Sequence, residues 1–409
     1  MTTSPPSSTR LLIITDFFPP RIGGAGMVPE GIAGGLPGNV TILTESVAAN
    51  RQIEADYDAA QPFRVLRVHP FYGRVRWRPG KVRGLLTLLY NTVYMRPRAW
   101  FGMRRVLRNI SFNVVCLNSI ASTYWMAALL KRMRPGVKVI AYSHGEEWST
   151  IKTNAGRRWL RAIKQADMVV VISSFTQQCA LDQGLAPERL RLITNGVDIQ
   201  RFSPGPPSEE LRRRYGLGEA PILLCLARLD ERKGQDFLLR AMPAILQAVP
   251  ETRLVLVGSG TDEARLRGMM QDLALERHVV FTGAVSSEDV VEWYRTATLY
   301  AMPNRTLDNG DTEGFGLVFL EAGACGLPVI GGRAGGVPDA IVDGETGFLV
   351  DGQSAEDIAS RCVQLLQDAE LRRRIGSNGL AHAQAHSWQR QARLLFEYCD
   401  SLQAPRTQA

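Results

Sequence analysis

Short apolar runs alternate with helical patterns along the whole chain, and the series starts again near residue 205. Seven runs in the first half are typical of buried strands, at 11–15, 39–44, 63–68, 113–118, 138–143, 168–173 and 189–195. Helical stretches separate most of them, at 81–94, 98–108, 121–133 and 156–166. Because strands that alternate with helices form a parallel sheet covered on both faces, the first half is predicted to be α/β.

The second half repeats this pattern after a proline-rich linker, SPGPPSEE, at 203–210. Its strand-like runs lie at 221–228, 253–260, 279–285, 298–303, 327–332 and 347–350, with a helix predicted over 235–248. We predict two domains, 1–204 and 205–386, and a terminal segment, 387–409, whose helix returns to the first domain. Ligands of open α/β sheets bind beyond the carboxyl ends of the strands, so we expect the two domains to face each other across a cleft.

The formal charge of +8 is distributed unevenly. Residues 1–205 hold 27 Lys and Arg against 12 Asp and Glu, whereas residues 206–409 hold 21 against 28. The segment 71–109 interleaves arginine with aromatic and aliphatic side chains, which suits an anionic membrane surface. Nucleic acid is a rival partner for the same charges, and a solvated helix face is a third interpretation. We favour the membrane surface and expect no nucleic acid.

Six cysteines, at 116, 179, 225, 325, 362 and 399, form no CxxC pair and no zinc pattern with histidine. We expect buried thiols in a reducing compartment. The polar N-terminus is not typical of a secretory signal, and no apolar stretch reaches the ~18 residues of a membrane span. The sequence therefore predicts a cytoplasmic protein that is peripheral on the membrane.

Two cations follow the first strand-like run of the second half. Arg228 ends the run PILLCLAR, and Lys233 lies five residues later in DERKG. An arginine fork and a lysine point charge together suit a diphosphate. The turn with Gly258 and Gly260 follows the next run and suits a phosphate or a sugar, but Glu263 replaces the third glycine of a dinucleotide fingerprint.

The stretch DTEGFGLVFLEAGACGLPVIGG, at 311–332, combines carboxylates, glycines and the start of a helix. The amides of Gly316, Leu317 and Val318 at that helix N-terminus are suited to bind phosphate. Glu313 and Glu321 lie about 12 Å apart at most, which is roughly the span from a sugar across a diphosphate to a ribose. Both carboxylates are therefore candidates for binding sugar hydroxyl groups.

The first half offers candidates of the same kind. Gly23 and Gly24 follow the first run, where backbone amides can approach an anion closely. His144 follows the run KVIAYS, and its position at a strand end places it at the predicted cleft. Asp16 and Glu146 are similar strand-end candidates.

A literal DxD pattern, Asp56-Tyr57-Asp58, matches that of metal-dependent sugar transferases. Its surroundings are polar and show no strand pattern, so we interpret it as a chance match in a loop. No His, Asp or Glu cluster elsewhere has metal spacing. The sequence therefore predicts no bound metal.

Taken together, these residues resemble glycosyltransferase family 4. The resemblance rests on GG at 23–24, HG at 144–145, NGVD at 195–198, R-x4-KG at 228–234, VGSG at 257–260, E-x7-E at 313–321 and the tail 326–350. It covers nearly the whole chain, most tightly over 190–350 and loosely over 45–135. The E-x7-E block combined with R-x4-KG is highly specific.

The resemblance implies a GT-B fold, in which two Rossmann-like domains bind a nucleotide-diphospho-sugar in the second and an acceptor mostly in the first. It implies transfer with retention of anomeric configuration and no metal. It assigns Arg228 and Lys233 to the departing diphosphate, Glu321 to the ribose and Glu313 to the sugar hydroxyl groups. It places the amides of Gly24 and 316–318 on the phosphates, His144 near the reacting face of the sugar, and 283–285, including Val285, at the base.

The polar loop PNRTLDNGDTEG, at 303–314, resembles that of mannosyltransferases acting on lipid acceptors. This favours GDP-mannose as the donor of a hexosyl group to a lipid-linked, glycan or other membrane-proximal acceptor. A UDP-sugar transferase acting on a small soluble acceptor and a nucleotide-sugar epimerase of the same fold stay open as alternatives. The cations at 228 and 233 argue against an oxidoreductase, and the donor motifs argue against a non-catalytic membrane protein.

Overall fold

The computed structural model describes residues 8–20, 24–46, 51–71, 89–149 and 153–404. These residues form two compact units. The first unit comprises the described residues of Met1–Val171, Gln177–Ile193 and Trp388–Ala409, and the second comprises Ile172–Thr176 and Thr194–Ser387. The domain limits at 204/205 and 386/387 stay predictions.

The first unit is built on a parallel sheet of seven strands. They are β1 (Leu11–Ile14), β2 (Val40–Glu45), β3 (Arg64–Val68), β4 (Val114–Leu117), β5 (Lys138–Ser143), β6 (Met168–Val171) and β7 (Leu190–Leu192). Their order is β3-β2-β1-β4-β5-β6-β7, and the register sets Leu11 of β1 between Val40 and Val114. All four residues of β1 are buried, as expected for a central strand covered on both faces.

The second unit contains a parallel sheet of six strands. They are β8 (Ile222–Leu226), β9 (Arg253–Val257), β10 (Val279–Gly283), β11 (Leu299–Met302), β12 (Val329–Gly332) and β13 (Gly347–Val350). Their order is β10-β9-β8-β11-β12-β13. In both sheets the strand order therefore reverses beside the first strand. This is the doubly wound α/β arrangement that the alternating sequence predicts.

Helices connect the strands. In the first half of the chain they are Gly24–Gly35, Arg51–Ala59, Arg96–Leu107, Ile120–Thr123, Met126–Met133, Glu146–Ser149, Asn154–Gln165 and Ser174–Asp182, with a π-helical turn at Asn91–Met95. In the second half they are Glu209–Arg214, Gln235–Ala248, Glu263–Asp272, Ser287–Thr296, Leu317–Ala324, Val337–Ala340, Ala355–Gln367, Ala369–Ala385 and Trp388–Gln403. No helix in the described ranges is long and apolar enough to cross a bilayer.

The last helix, Trp388–Gln403, belongs to the first unit, as predicted from the sequence. It packs against Gly24–Gly35, and a Cβ atom built on Gly31 would lie only 2.2 Å from the ring of Trp388. Asp400 accepts a hydrogen bond of 2.6 Å from Thr9, which immediately precedes the sheet. Glycine at position 31 therefore allows the two helices to approach closely.

The interpretation of Asp56-Tyr57-Asp58 as a loop is wrong, because these residues lie on the helix Arg51–Ala59. Only Glu54 is buried on that helix, so the sequence shows no apolar period that would reveal it. Asp58 accepts two hydrogen bonds of 2.7 Å from Arg67 of β3, and Tyr57 donates to Glu30. The DxD match thus takes part in contacts that fix a helix to the sheet.

Replacing Gly31 by Ala should destabilise the first unit by about 1–3 kcal/mol, because the added methyl group overlaps the Trp388 ring. Urea unfolding measures this change. Gly34→Ala is the matched control, since no atom lies within 4 Å of its added Cβ and alanine favours the helix by up to about 1 kcal/mol. Equal stabilities of the two variants would contradict the close helix packing.

Candidate active site

The loops after β8 and β11 start at the point where the strand order of the second sheet reverses. β8 and β11 are neighbours, while the chain runs outward from β8 through β9 to β10. Side chains that follow these two strands emerge at the same edge, and ligands of open α/β sheets bind at such a reversal. The loops carry Arg228 and Lys233 on one side and Glu313 on the other.

Backbone contacts hold these two loops together. Gly234 has a φ of +78°, and a Cβ atom there would lie 1.9 Å from the carbonyl oxygen of Pro303. The amide of Arg305 donates to the carbonyl of Arg232 at 2.9 Å. Only glycine fits position 234, because any side chain would force the loops apart.

A buried ion pair reinforces this junction. Arg305 donates hydrogen bonds of 2.7 and 3.0 Å to the two oxygens of Asp236, and both side chains are buried. Burial acts to raise the pKa of Asp236, but the bonds and charge of Arg305 outweigh it and the pKa lies below its ordinary value. This pair is not predictable from the sequence, because nothing local relates two residues 69 positions apart.

Glu313 receives two cations on the same oxygen. Its Oε2 lies 2.5 Å from Nζ of Lys233 and 2.9 Å from Nη1 of Arg232, and all three side chains are largely buried. Burial acts to raise the pKa of Glu313, but Lys233 and then Arg232 outweigh it, so the pKa is lowered. The carboxylate is therefore charged, and Arg232 pairs with a second carboxylate, that of Asp311, at 3.5 Å.

Arg232 is a functional candidate that the sequence analysis missed, although it adjoins Lys233 in the run DERKG. Lys233 itself is the only lysine among residues 206–409, where every other cation is arginine. Arg228 differs from both, since its side chain is 69% exposed and pairs with Asp230 at 3.1 Å. The structure thus brings Lys233 to Glu313 and leaves Arg228 accessible to a ligand.

The helix Leu317–Ala324 begins at Gly316, which has a φ of +92°. No side chain caps this end, and Leu317 and Val318 form its half-buried first turn. The amides of a first helical turn have no partner inside the helix and carry the positive end of its dipole. Gly316 follows Glu313 by three residues, so the bare amides and Glu313 with its cations belong to the same loop.

Close packing against neighbouring backbone leaves no room for a side chain at Gly258 or Gly260. Cβ atoms there would lie 2.1 Å from the carbonyl oxygen of Ala227 and 2.2 Å from that of Leu229. The loop after β9 therefore rests directly on the backbone that flanks Arg228. Val285 follows the end of β10, where Gly258 donates a hydrogen bond of 2.9 Å to Gly283. The ligand roles of these residues stay predictions.

Glu321 accepts a hydrogen bond of 2.9 Å from the hydroxyl group of Tyr294. Burial raises the pKa of Glu321, and Tyr294 and Arg201 only partly oppose this shift. The aromatic partner, from the helix Ser287–Thr296, was not foreseen from the sequence. It fixes one carboxylate oxygen of Glu321.

In the first unit, the strand order reverses between β1 and β4. Nε2 of His144, after β5, lies 3.1 Å from Oδ1 of Asn118, after β4. The buried carboxylate of Glu147 accepts bonds from the amides of Gly145 at 2.9 Å and His144 at 3.3 Å. Burial raises the pKa of Glu147 despite these bonds. His144 is thus fixed in place by two polar residues that the sequence analysis missed.

The remaining candidates in the first unit follow β1 or β5, or lie outside the described residues. Asp16 follows β1 directly and is half-buried, and Gly24 is the first residue of its helix. Glu146 begins the short helix Glu146–Ser149. Gly23 lies outside the described residues, as do 72–88 of the basic segment, including Arg74, Arg76, Arg78 and Arg83. Among described residues, no group of three or more His, Cys, Asp or Glu is arranged to hold a metal ion.

Solved structures share this architecture. Anabaena HepE, determined in complex with UDP and glucose, aligns with a TM-score of 0.75 and 22% identity over 96% of this chain and 100% of that one. Sucrose-phosphate synthase from Thermosynechococcus elongatus aligns with a TM-score of 0.71 and 24% identity over 96% and 98%. The two Rossmann-like units therefore have the fold of the GT-B glycosyltransferases.

The sequence identifies the group within that class. Residues 22–201 match the model described as Glycosyltransferase Family 4, and residues 207–382 match Glycosyl transferases group 1. The GDP-mannose-dependent alpha-(1-6)-phosphatidylinositol monomannoside mannosyltransferase of Mycolicibacterium smegmatis is 35% identical over 93% of this chain and 94% of its own length. The GDP-mannose-dependent monoacylated alpha-(1-6)-phosphatidylinositol monomannoside mannosyltransferase of Corynebacterium glutamicum is 32% identical over 94% of this chain and 96% of its own length. The chain belongs to glycosyltransferase family 4, and it is a glycosyltransferase.

Replacing Glu313 by Gln should lower the free energy of unfolding by about 3 kcal/mol at neutral pH, because two buried cations lose their carboxylate. A carboxyl group whose pKa falls on folding stabilises the fold above its ordinary value, here 4.5, and this contribution is lost as the pH falls through the folded pKa. The wild-type advantage should therefore shrink in acid. Urea unfolding at several pH values measures it.

Glu263→Gln is the control, since among the described residues Glu263 pairs only with the exposed Arg267 and should contribute less than about 1 kcal/mol. An advantage of Glu313 that stays constant from pH 7 to acid would show that the lowered pKa does not stabilise the fold.

Proposed function

We propose that this glycosyltransferase moves a hexosyl group, with GDP-mannose as the favoured donor, to a lipid-linked or other membrane-proximal acceptor, with retention and without a metal. The observation that carries the donor part is the cluster of Arg232, Lys233 and Glu313 beside the uncapped helix start at Gly316. The mannosyl donor and the lipid acceptor are supported by the activities named for relatives that match nearly the whole chain.

The hydrogen-bond donors of the cluster suit a departing diphosphate. Transfer breaks the bond between the anomeric carbon and the phosphate oxygen, so negative charge grows on that oxygen while the sugar becomes oxocarbenium-like. Lys233 and the exposed Arg228 supply fixed positive charge, and the first-turn amides of 316–318 supply hydrogen-bond donors. Each such donor contributes about 3–4 kcal/mol to comparable oxyanion sites.

The proposed reaction takes place on one face of the sugar. The acceptor oxygen bonds to the anomeric carbon as the phosphate leaves, and the departing phosphate oxygen takes the acceptor proton. Glu313 is paired with two cations, which suits it to holding sugar hydroxyl groups rather than to acting as a nucleophile. His144 is oriented through Asn118 for contact with the sugar, and Glu321 is assigned to the ribose.

Lys233→Ala should reduce transfer from GDP-mannose by at least about a hundredfold while the protein stays folded, because one stabilising cation is lost. Lys233→Arg keeps the charge and should retain more activity than Ala. Radiolabelled sugar transfer to an extracted lipid fraction, with EDTA present, measures both donor use and metal independence. Wild-type turnover by Lys233→Ala would overturn the leaving-group role, and loss of wild-type activity in EDTA would overturn metal independence.

The proposed membrane surface is the segment 71–109, of which residues 71 and 89–109 are described. Five of the seven exposed large apolar side chains among the described residues lie there: Leu89, Tyr90, Val93, Tyr94 and Phe101. The rings of Tyr90 and Tyr94 stack, and Arg98 lies over the Tyr94 ring. Aromatic and basic side chains of this kind are typical of a membrane interface.

Val93→Ser and Phe101→Ser should each weaken binding to anionic vesicles by about tenfold, since a membrane would bury side chains that are 72% and 66% exposed. Vesicle sedimentation measures this. Ile53→Ser is the control, because Ile53 is 58% exposed on a helix outside the segment. An equal effect of all three substitutions would contradict the proposed surface.

A further inference from the structure

A groove of about 580 Å³ opens on the first unit. One wall comes from the helical segment 89–107, through Leu89 and Arg96. The helix Asn154–Gln165 contributes Arg158, Arg161 and Ala162 to the lining, and Trp125 also lines the groove. None of these residues has a role in the proposed transfer.

The groove is cationic without a counter-charge. Its lining contains three arginines and no Asp or Glu. Across the described part of the chain, none of the three forms an ion pair with a carboxylate. Arg96 donates to the hydroxyl group of Tyr124 at 2.7 Å, and its buried Nε has no hydrogen-bond partner. Three guanidinium groups with no carboxylate in the lining favour an anionic ligand in this groove.

The groove is also partly apolar, which restricts the class of anion. Leu89, Trp125, Ala128 and Ala162 contribute to the lining. The neighbouring Tyr90, Val93 and Tyr94 are exposed on the same helical segment. A free inorganic anion would leave this apolar lining in contact with water, whereas a lipid would cover it.

We propose that the groove binds the phosphate headgroup of an anionic membrane phospholipid. Arg96, Arg158 and Arg161 donate hydrogen bonds to the phosphate oxygens, since guanidinium groups bind phosphate in a forked geometry. The apolar lining takes the glycerol and the first methylene groups, and the exposed residues at 90, 93 and 94 lie at the bilayer surface. This site deepens the membrane part of the proposed function and is independent of the transfer reaction.

The test compares two double variants of one helix. Arg158→Gln/Arg161→Gln removes two charges from the groove. Arg157→Gln/Lys164→Gln removes two charges from exposed positions on the same helix outside its lining. The probe is dihexanoyl phosphatidic acid below its micelle concentration, titrated by calorimetry, so that a single lipid is measured without a membrane.

We expect the groove variant to bind this lipid about thirtyfold more weakly, since each arginine beside a lipid phosphate contributes roughly a fivefold factor. The control variant should stay within about twofold of wild type. Absent binding by wild type, or equal losses in the two variants, would overturn the proposal.

Three further probes separate the sources of negative charge. Glycerol 3-phosphate should bind much more weakly than the lipid, and equal binding would overturn the assignment to a lipid. Hexanoate, which carries a carboxylate, should not compete, and effective competition would show diffuse charge attraction in place of a phosphate site. A short single-stranded DNA that competes with the lipid and binds with a lower dissociation constant than the lipid would assign the groove to nucleic acid instead.

Donor binding keeps the two proposals distinguishable. The thermal shift produced by GDP should be the same in wild type and in both variants, because ligand binding raises stability by mass action and the groove lies outside the donor loops. A GDP shift that persists while lipid binding is lost supports the groove proposal. A groove variant that loses both together would show that the substitutions act on the fold, and would overturn it.

Discussion

One glutamate oxygen organises the site in the second unit. Oε2 of Glu313 accepts hydrogen bonds from Lys233 and Arg232. The two cations belong to the loop after β8, whereas Glu313 belongs to the loop after β11. A buried cation needs a partner, so each loop fixes the position of the other. The helix start at Gly316 follows in the same loop, so the contact of Glu313 also fixes the position of that helix start. Cations, carboxylate and bare amides are therefore arranged by a single shared contact.

Close backbone approaches keep this arrangement compact. Gly234 lies against the carbonyl of Pro303, and Gly258 and Gly260 lie against the carbonyls that flank Arg228. Each contact brings the loop of one strand onto the loop of its neighbour. These glycines could be taken for phosphate-binding turns from their sequence, yet the structure also gives them a packing reason. The two explanations are compatible, since a loop without side chains leaves its amides accessible.

The sequence predicts the repeating features of this protein well and the isolated ones poorly. The helix Gln235–Ala248 has the predicted bounds, because its apolar period and its glycine start are local signals. The polar helix Arg51–Ala59 lacks that period and was mistaken for a loop. Pairs such as Arg305 with Asp236 and Tyr294 with Glu321 join residues far apart in the chain. Only the folded sheet order brings them together, so local patterns carry no sign of them.

The position of the last helix has a consequence for biosynthesis. Trp388, Leu395 and Phe396 are buried in the first unit, although they follow the whole second unit in the sequence. The ribosome synthesises the N-terminus first. The apolar face of Gly24–Gly35 therefore stays exposed until the last helix, which begins more than 350 residues later, has been synthesised. The second unit can complete its core earlier, which reverses the usual order of domain folding. Chaperones have the longest access to the half that is synthesised first.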